Sequence, residues 1–399
     1  MIETATVNHT IKAVSGNTSA ALGAALCRPD VIAAYPITPQ SSVVEYLAGM
    51  VANGLVDSTM VQVESEHSAM SVVQGAAAAG ARVFTATSAQ GLALMFEPYF
   101  RMSTLRLPMV MAIACREMTS PETVWSGQQD AMSVRDAGWI QVHVENNQEI
   151  LDMIIQGYRL SEDSDIYLPV NVCYDGFFLS HLTERIELPS QDSVDVFLPK
   201  YTGHTLLDPK APLALDPLTP GNILIKYRES HLAAMQRALQ KLEDIDREFA
   251  KVFDRGWGGA VEEYRCEDAE LALLTIGSTT GTAREAVDMA RKEGLRVGLI
   301  KVRFMRPFPA QKIARALANK KAWAVVDRSV VFGWDSGPLY METRAAVLDT
   351  VNGSCHFSVI GGLGGADISL GDLMGVIRKI DAQKNIPGQK QTLWLEKKI

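Results

Sequence analysis

"DVIAAYPITPQSSVVEYL", residues 30–47, opens as a β-branched and apolar run, crosses prolines at 36 and 39, and resumes with helical spacing. A proline fixes its own φ and pushes the residue before it towards extended backbone, so Tyr35 and Thr38 are stiffened at the end of a strand. The hydroxyl of Thr38 is thereby aimed with little entropy left to lose. Pro39 at the first helical position, with Thr38 as N-cap, fits helix capping equally well.

Similar runs recur outward from this stretch. "TMVQVES", "ARVFTATS", "LPMVMAIAC" and "DIYLPVNVCYD" read as strands with helical patterns between them, which predicts an α/β fold with parallel βαβ units. "SAMSVVQGAAAAGA" (68–81) predicts a small-residue helix able to lie close to a neighbour. Residues 189–222 are proline-dense and weakly periodic, which predicts a long ordered arm. "ESHLAAMQRALQKLEDIDREFAKVFDRG" then gives a charged amphipathic helix, and Gly256, Gly258 and Gly259 mark a hinge. "AELALLTIGSTTGTAREAVDMARKEGLRVGLIKVRFMRPFP" starts a second α/β unit, continued by "KAWAVVDRSV" and "CHFSVIGGLGG". At 399 residues the chain is too long for one ordinary core, and a boundary is expected between 1–255 and 256–399.

Composition excludes several classes. A net charge of -8 with interspersed signs offers no basic stripe for nucleic acid and no polybasic membrane patch. The start "MIETATVNHTIK" has no cationic region leading into an apolar one, and no run approaches the roughly 18 apolar residues of a membrane span, so a cytoplasmic protein is expected. Cysteines at 27, 115, 173, 266 and 355 are scattered without CxxC, and no histidine pair has metal-ligand spacing, so neither an iron–sulfur cluster nor a metal site is expected in this chain. "GSTTGT" (277–282) lacks both GxGxxG spacing and the lysine of a P-loop, so a tight turn is preferred over a nicotinamide site.

Polar residues then stand out at strand C-termini, where ligands bind in parallel α/β sheets. Thr38 ends the first strand, Glu64 and Glu66 the second, "TSAQG" (87–91) the third and Arg116 the fourth. Each has an ordinary role: a cap, first-turn acids set against a helix dipole, or a surface salt bridge of Arg116 with Glu117 or Glu122. Four together at one sheet edge weaken those separate readings.

"YPITP" with "VESEHSAMSVVQGAAAAGARVFTATSAQGLALMFE", "RDAGWIQVHVENNQEILD" and "LPVNVCYDGFFLSH" closely resembles the alpha subunit of the 2-oxoacid:ferredoxin oxidoreductases, the pyruvate synthase group. "KVRFMRPFP", "VVDRSV" and "GGLGGADI" resemble its second, transketolase-C-terminal-like domain, so nearly the whole chain is covered. The resemblance implies a pyrimidine-type thiamine diphosphate domain, acting with a beta subunit that supplies the diphosphate and Mg²⁺ site, and with gamma and ferredoxin-like delta subunits. In agreement, no GDG followed by an Asn-bearing stretch occurs here.

By position in the motif, the resemblance makes Glu66, rather than Glu64, the cofactor-activating glutamate that holds the protonated aminopyrimidine nitrogen. It makes Thr38 and Arg116 the grips on the 2-oxoacid, and adds Tyr35, Pro36 and Gln90 to the cofactor-binding set. A planar guanidinium suits a carboxylate. The implied reaction is oxidative decarboxylation of a 2-oxoacid to acyl-CoA and CO₂, with electrons passing through iron–sulfur subunits to ferredoxin. After Arg116 the pyruvate-type pattern is Asn-Arg-Ala, then Trp-Asn/Ser-Asp-His-Gln-Asp. In "CREMTSPETVWSGQQD" (115–130), Cys115 stands for that Asn, Glu117 for the Ala and Gly127-Gln128 for the Asp-His. Pyruvate is the first expectation. A branched-chain or aryl 2-oxoacid such as phenylglyoxylate, with NAD as final acceptor, is the alternative, and a non-catalytic scaffold is the alternative of another class.

Overall fold

The computed structural model describes residues 9–203, 207–349, 353–386, 388 and 390–395. A ribbon of β1 (His9–Ser15) and antiparallel β8 (Thr183–Pro189) accompanies two larger sheets. The first sheet holds β2 (Val31–Ala34), β3 (Thr59–Gln62), β4 (Val83–Thr87), β5 (Val110–Cys115), β6 (Ile140–His143) and β7 (Val170–Asp175). These run parallel in the order β6-β7-β5-β4-β2-β3, and antiparallel β12 (Phe304–Arg306) adds to β6. The second sheet has β10 (Leu271–Thr275), β11 (Val297–Val302), β13 (Ala322–Asp327), β14 (Cys355–Ile360) and β15 (Lys390–Trp394) in parallel. Antiparallel β9 (Val261–Tyr264) flanks β11.

The central strands read as nearly unbroken apolar runs because helices cover both of their faces, and β5 and β7 are buried at every position. On one face the helices Gly16–Leu26 and Asn147–Ser161 bury Leu22, Ile150, Ile154 and Tyr158 in a core that continues to Ile300, Trp323 and Val325 of the second sheet. On the other, Met70, Val73, Tyr99 and Met102 pack with Trp139, whose ring stacks on Tyr99 at 4.3 Å. Parallel register sets Thr87 opposite Ile113 and Cys115 opposite Asp175, so these strands end along one edge.

Several expectations need correction. The stretch 269–309, which reads as strand, turn, helix and strand, ends in two strands: β11 stays in the second sheet and β12 crosses to the first, with the fully buried Arg303 between them. Within the expected arm a helix covers Gln191–Phe197, and the long helix, read from Glu229, starts at Gly221 and runs to Phe253. Its first ten residues are exposed on all sides, so no apolar periodicity marks them. His204, Thr205 and Leu206 of that arm lie outside the described residues. No helix among the described residues is long and apolar enough to cross a membrane.

Charges join the sheets. Lys301 Nζ lies 2.8 Å from Glu149 and 2.9 Å from Glu145, Arg303 Nε also donates to Glu149, and Arg284 pairs with Glu145 at 2.8 Å and Glu262 at 2.7 Å. Burial alone would raise the Glu149 carboxyl, but Lys301 and Arg303 hold it down at about 2. Removing that carboxylate leaves two buried cations short of a partner, which costs about 3–5 kcal/mol. Glu149→Gln should lower the unfolding free energy by that order in urea titration at about pH 7. The folded value lies below the unfolded value of about 4.3, so the contribution is full above that pH and fades as pH falls towards 2. The gap between parent and variant should therefore narrow at about pH 3.

Candidate functional site

Strand β2 stops at Ala34, and the next helix, Ser41–Ala52, starts after Gln40 with no side-chain cap. Thr38 is therefore neither strand end nor N-cap, contrary to expectation. Pro36 and Pro39 cannot donate to a ladder, so the chain turns, with Gln40 N donating to Ile37 O at 2.7 Å. The turn is anchored from below. Asn17 Nδ2 donates to Pro39 O at 2.6 Å and to Ser42 Oγ at 2.8 Å, while its Oδ1 accepts from the Tyr174 hydroxyl at 2.8 Å. Tyr35, Pro36 and Thr38 remain exposed.

Arg116 follows β5 directly and is only 4% exposed. Its Nη1 donates to the Thr38 carbonyl at 2.6 Å and its Nη2 to Gln90 Oε1 at 2.6 Å. Three of the expected site residues thus meet at one guanidinium, although Thr38 is held by its carbonyl rather than by its hydroxyl. The exposed Glu122 is a weak third partner at 3.5 Å, and Glu117 is not paired to Arg116. Burial lowers the proton affinity of Arg116, opposed by Glu122 and Asp130. A guanidinium has five donor hydrogens, so these contacts leave capacity for a carboxylate.

Glu66 opens the helix Glu66–Ala78, behind Ser65, whose side chain accepts from Ser68 N at 3.2 Å. It is 5% exposed, and burial pushes its carboxyl above the ordinary range against the pull of its own backbone N–H. Glu64 lies on the surface, accepting from Ser68 Oγ at 2.6 Å, and is held below its ordinary range by that bond. The two acids therefore have opposite environments. A Cβ on Gly91 would come within 2.6 Å of Glu66 Oε1 and 2.5 Å of Thr87 Oγ1, and the buried Thr87 hydroxyl has no hydrogen-bond partner among the described residues. Gly91 lets Glu66 and Thr87 pack closely, and a carboxyl with raised proton affinity beside an orphan hydroxyl fits a heteroaromatic ring that brings its own nitrogen donors.

Residues 116–128 form a loop pinned to the second sheet. Gly365 N donates to Ser126 O at 2.7 Å, and Arg328 Nη2 to Ser126 Oγ at 3.0 Å. Gly127 is needed here because a Cβ would strike the Glu117 carboxyl, which burial and Asp130 push up to about 7 against the pull of Gly364 N–H and Arg328. Two departures noted in the sequence, Glu117 and Gly127, are thus a touching pair, and a third, Gln128, donates to Asp175 Oδ1 at 3.1 Å. Trp125 is 53% exposed and packs on Phe177 at 4.5 Å. Asp175 also accepts from Ser278 N at 2.9 Å and Oγ at 2.6 Å, so the "GSTTGT" turn already holds a carboxylate of the chain's own. Sequence reading missed Asp130, Asp175 and Arg328. Asp130 matches the final Asp of the pyruvate-type pattern, and Asp175 and Arg328 follow apolar runs, but none of this gave a role.

Residues 22–247 match the family model described as pyruvate flavodoxin/ferredoxin oxidoreductase, thiamine diP-binding, and residues 269–373 match pyruvate:ferredoxin oxidoreductase core domain II. The chain is 46% identical over 392 residues to the alpha subunit of NADH-dependent phenylglyoxylate dehydrogenase from Aromatoleum evansii, covering 96% of this chain and 94% of the relative. It is 45% identical over 371 residues to pyruvate synthase subunit PorA of Methanothermobacter thermautotrophicus, covering 93% and 95%. Among solved structures, a 2-oxoglutarate:ferredoxin oxidoreductase from Magnetococcus marinus superposes with a TM-score of 0.69 at 21% identity, over 93% of this chain and 65% of that one. A split-gene transketolase superposes with a TM-score of 0.57 at 11% identity, over 94% and 100%. These two likenesses show the fold.

Gly91→Ala tests the packing around Glu66. Alanine would ordinarily stabilise a helical position by about 1 kcal/mol. Here overlap with Glu66 and Thr87 should reverse the sign and cost about 1–3 kcal/mol in urea unfolding. A more stable variant would contradict the tight contact.

Proposed function

Because the chain belongs to the pyruvate flavodoxin/ferredoxin oxidoreductase family, we propose that it is the alpha-type subunit of a thiamine-diphosphate-dependent 2-oxoacid oxidoreductase that forms acyl-CoA and CO₂. The observation that carries this reading is the buried Glu66 carboxyl on the same sheet edge as the buried guanidinium of Arg116. Bound thiamine diphosphate supplies a carbon nucleophile and an electron sink for decarboxylation. Glu66 holds a proton at the pyrimidine ring nitrogen, and its burial keeps competing water away. Arg116 takes the substrate carboxylate with its remaining donors, Gln90 and the Thr38 carbonyl hold the fork in plane, and the exposed Thr38 hydroxyl donates to the carboxylate or oxo oxygen. Tyr35 and Pro36 form the exposed wall beside the ring.

A companion beta-type subunit provides the diphosphate and Mg²⁺ site, a reading supported by the missing GDG motif. Further subunits carry the iron–sulfur clusters that pass electrons to ferredoxin, in the cytoplasm. Pyruvate is the first substrate. An aryl 2-oxoacid, with NAD as acceptor, is the second reading, favoured by the exposed Trp125 on Phe177 within the altered loop.

In the assembled complex, Glu66→Gln should keep the melting temperature within a few degrees and lower turnover by about 10²-fold or more. Full activity would overturn the role of Glu66. In the same complex, kcat/KM for pyruvate about tenfold or more above that for phenylglyoxylate supports the pyruvate type, and the reverse ratio the aryl type.

A further inference from the structure

Asp130 is fully buried in the short helix Gln129–Ser133 that closes the altered loop. Its Oδ2 accepts from two backbone donors on different strand exits, Ala89 N at 2.9 Å and Arg116 N at 3.0 Å. Its Oδ1 accepts from Ala131 N at 2.7 Å. Ala89 sits at φ 36°, in the left-handed region that a side chain disfavours. A strained non-glycine conformation persists where its surroundings over-determine it, and the hydrogen bond to Asp130 is such a determinant.

The two donors are the backbone of Arg116, a grip residue, and of the neighbour of Gln90, which holds its fork. Ala89 precedes Gln90, whose Oε1 receives Arg116 Nη2 at 2.6 Å. We propose that Asp130 is a positioning residue for recognition of the substrate carboxylate: by gathering Ala89 N and Arg116 N on one oxygen, it fixes the spacing of Gln90 and Arg116 and so aims the guanidinium. This rests on the reading of Arg116 given above. Sheet register does not depend on Asp130, because β4 and β5 are paired from Phe84–Val110 to Thr87–Ile113 and Ser88 Oγ donates to Ala114 O at 2.7 Å. The carboxylate thus acts on the residues just beyond the strands, where the site lies. Burial pushes it up to about 6 against its three N–H donors and the charge of Arg116, so it is ionised at neutral pH and accepts with both oxygens.

The test is a double-mutant cycle in the assembled complex, reading KM for the 2-oxoacid apart from kcat, with Asp130→Ala, Arg116→Lys and the double variant. Expected for Asp130→Ala is a rise in KM of about tenfold, the loss of one charge-assisted contact, with kcat within about threefold. Added to Arg116→Lys it should raise KM no further, because the group it aims is already lost. Amide exchange should lose protection at Ala89 and Arg116 and keep it within β4 and β5. If the alanine chain fails to assemble, the isosteric Asp130→Asn carries the same cycle. It keeps one acceptor oxygen and should give a smaller rise in KM that is equally non-additive. Unchanged KM in Asp130→Ala, or a rise that multiplies with that of Arg116→Lys, overturns the role of Asp130. An unchanged KM in Arg116→Lys alone overturns instead the reading of Arg116 on which it rests.

Discussion

The guanidinium of Arg116 joins what the parallel sheet merely brings near. Strands β2, β4 and β5 release the chain along one edge, and Asp130 ties the exits of β4 and β5, so joining that of β2 to them takes a further partner. Arg116 supplies it, donating to the Thr38 carbonyl from one nitrogen and to Gln90 from another. A planar, permanently charged fork can hold two acceptors in fixed directions while keeping donors in reserve, which a lysine could not. Burial makes these contacts costly to break, since a desolvated cation stripped of acceptors has no water to replace them.

The site is bounded from the other side by the second sheet. Arg328 reaches both Ser126 of the loop and Asp175 at the end of β7, at 3.3 Å from the latter. Asp175 is held below its ordinary range although burial works against it, because Arg328, Ser278 and Gln128 all favour the charged form. Further from the edge, Glu149 with Lys301 and Arg303 binds the helix Asn147–Ser161 to β11 and to the crossing that leads into β12. The altered loop is therefore held to the second sheet at Ser126, and the touching pair Glu117 and Gly127 lies within it.

Local signals were legible in the sequence where one force dominates. The strands β4, β5 and β7 are short runs of mostly apolar or β-branched residues buried at every position, so burial on both faces announces them. β6, with Gln141 and His143 among its residues, was passed over, and β12 depends on pairing with a strand far away in the chain. Glu66 was separated from Glu64 by its place in a motif, while the physical difference, one carboxyl buried and one solvated, needed the fold. Asp130 stands where the pyruvate-type pattern ends in Asp, but its role was not legible, because an aspartate in a polar loop reads as surface. Only the convergence of Ala89 N and Arg116 N on it reveals otherwise. Thr38 was seen for its hydroxyl, yet its carbonyl makes the contact that fixes the turn.

A crystal or electron cryomicroscopy structure of the assembled complex with thiamine diphosphate and a slowly turned-over 2-oxoacid tests this account most directly. The pyrimidine ring should lie against the Glu66 carboxyl, and the substrate carboxylate within hydrogen-bond distance of Arg116 and the Thr38 hydroxyl. A ring bound away from Glu66, or a carboxylate held by other residues with Arg116 still occupied only by Thr38 and Gln90, would contradict it.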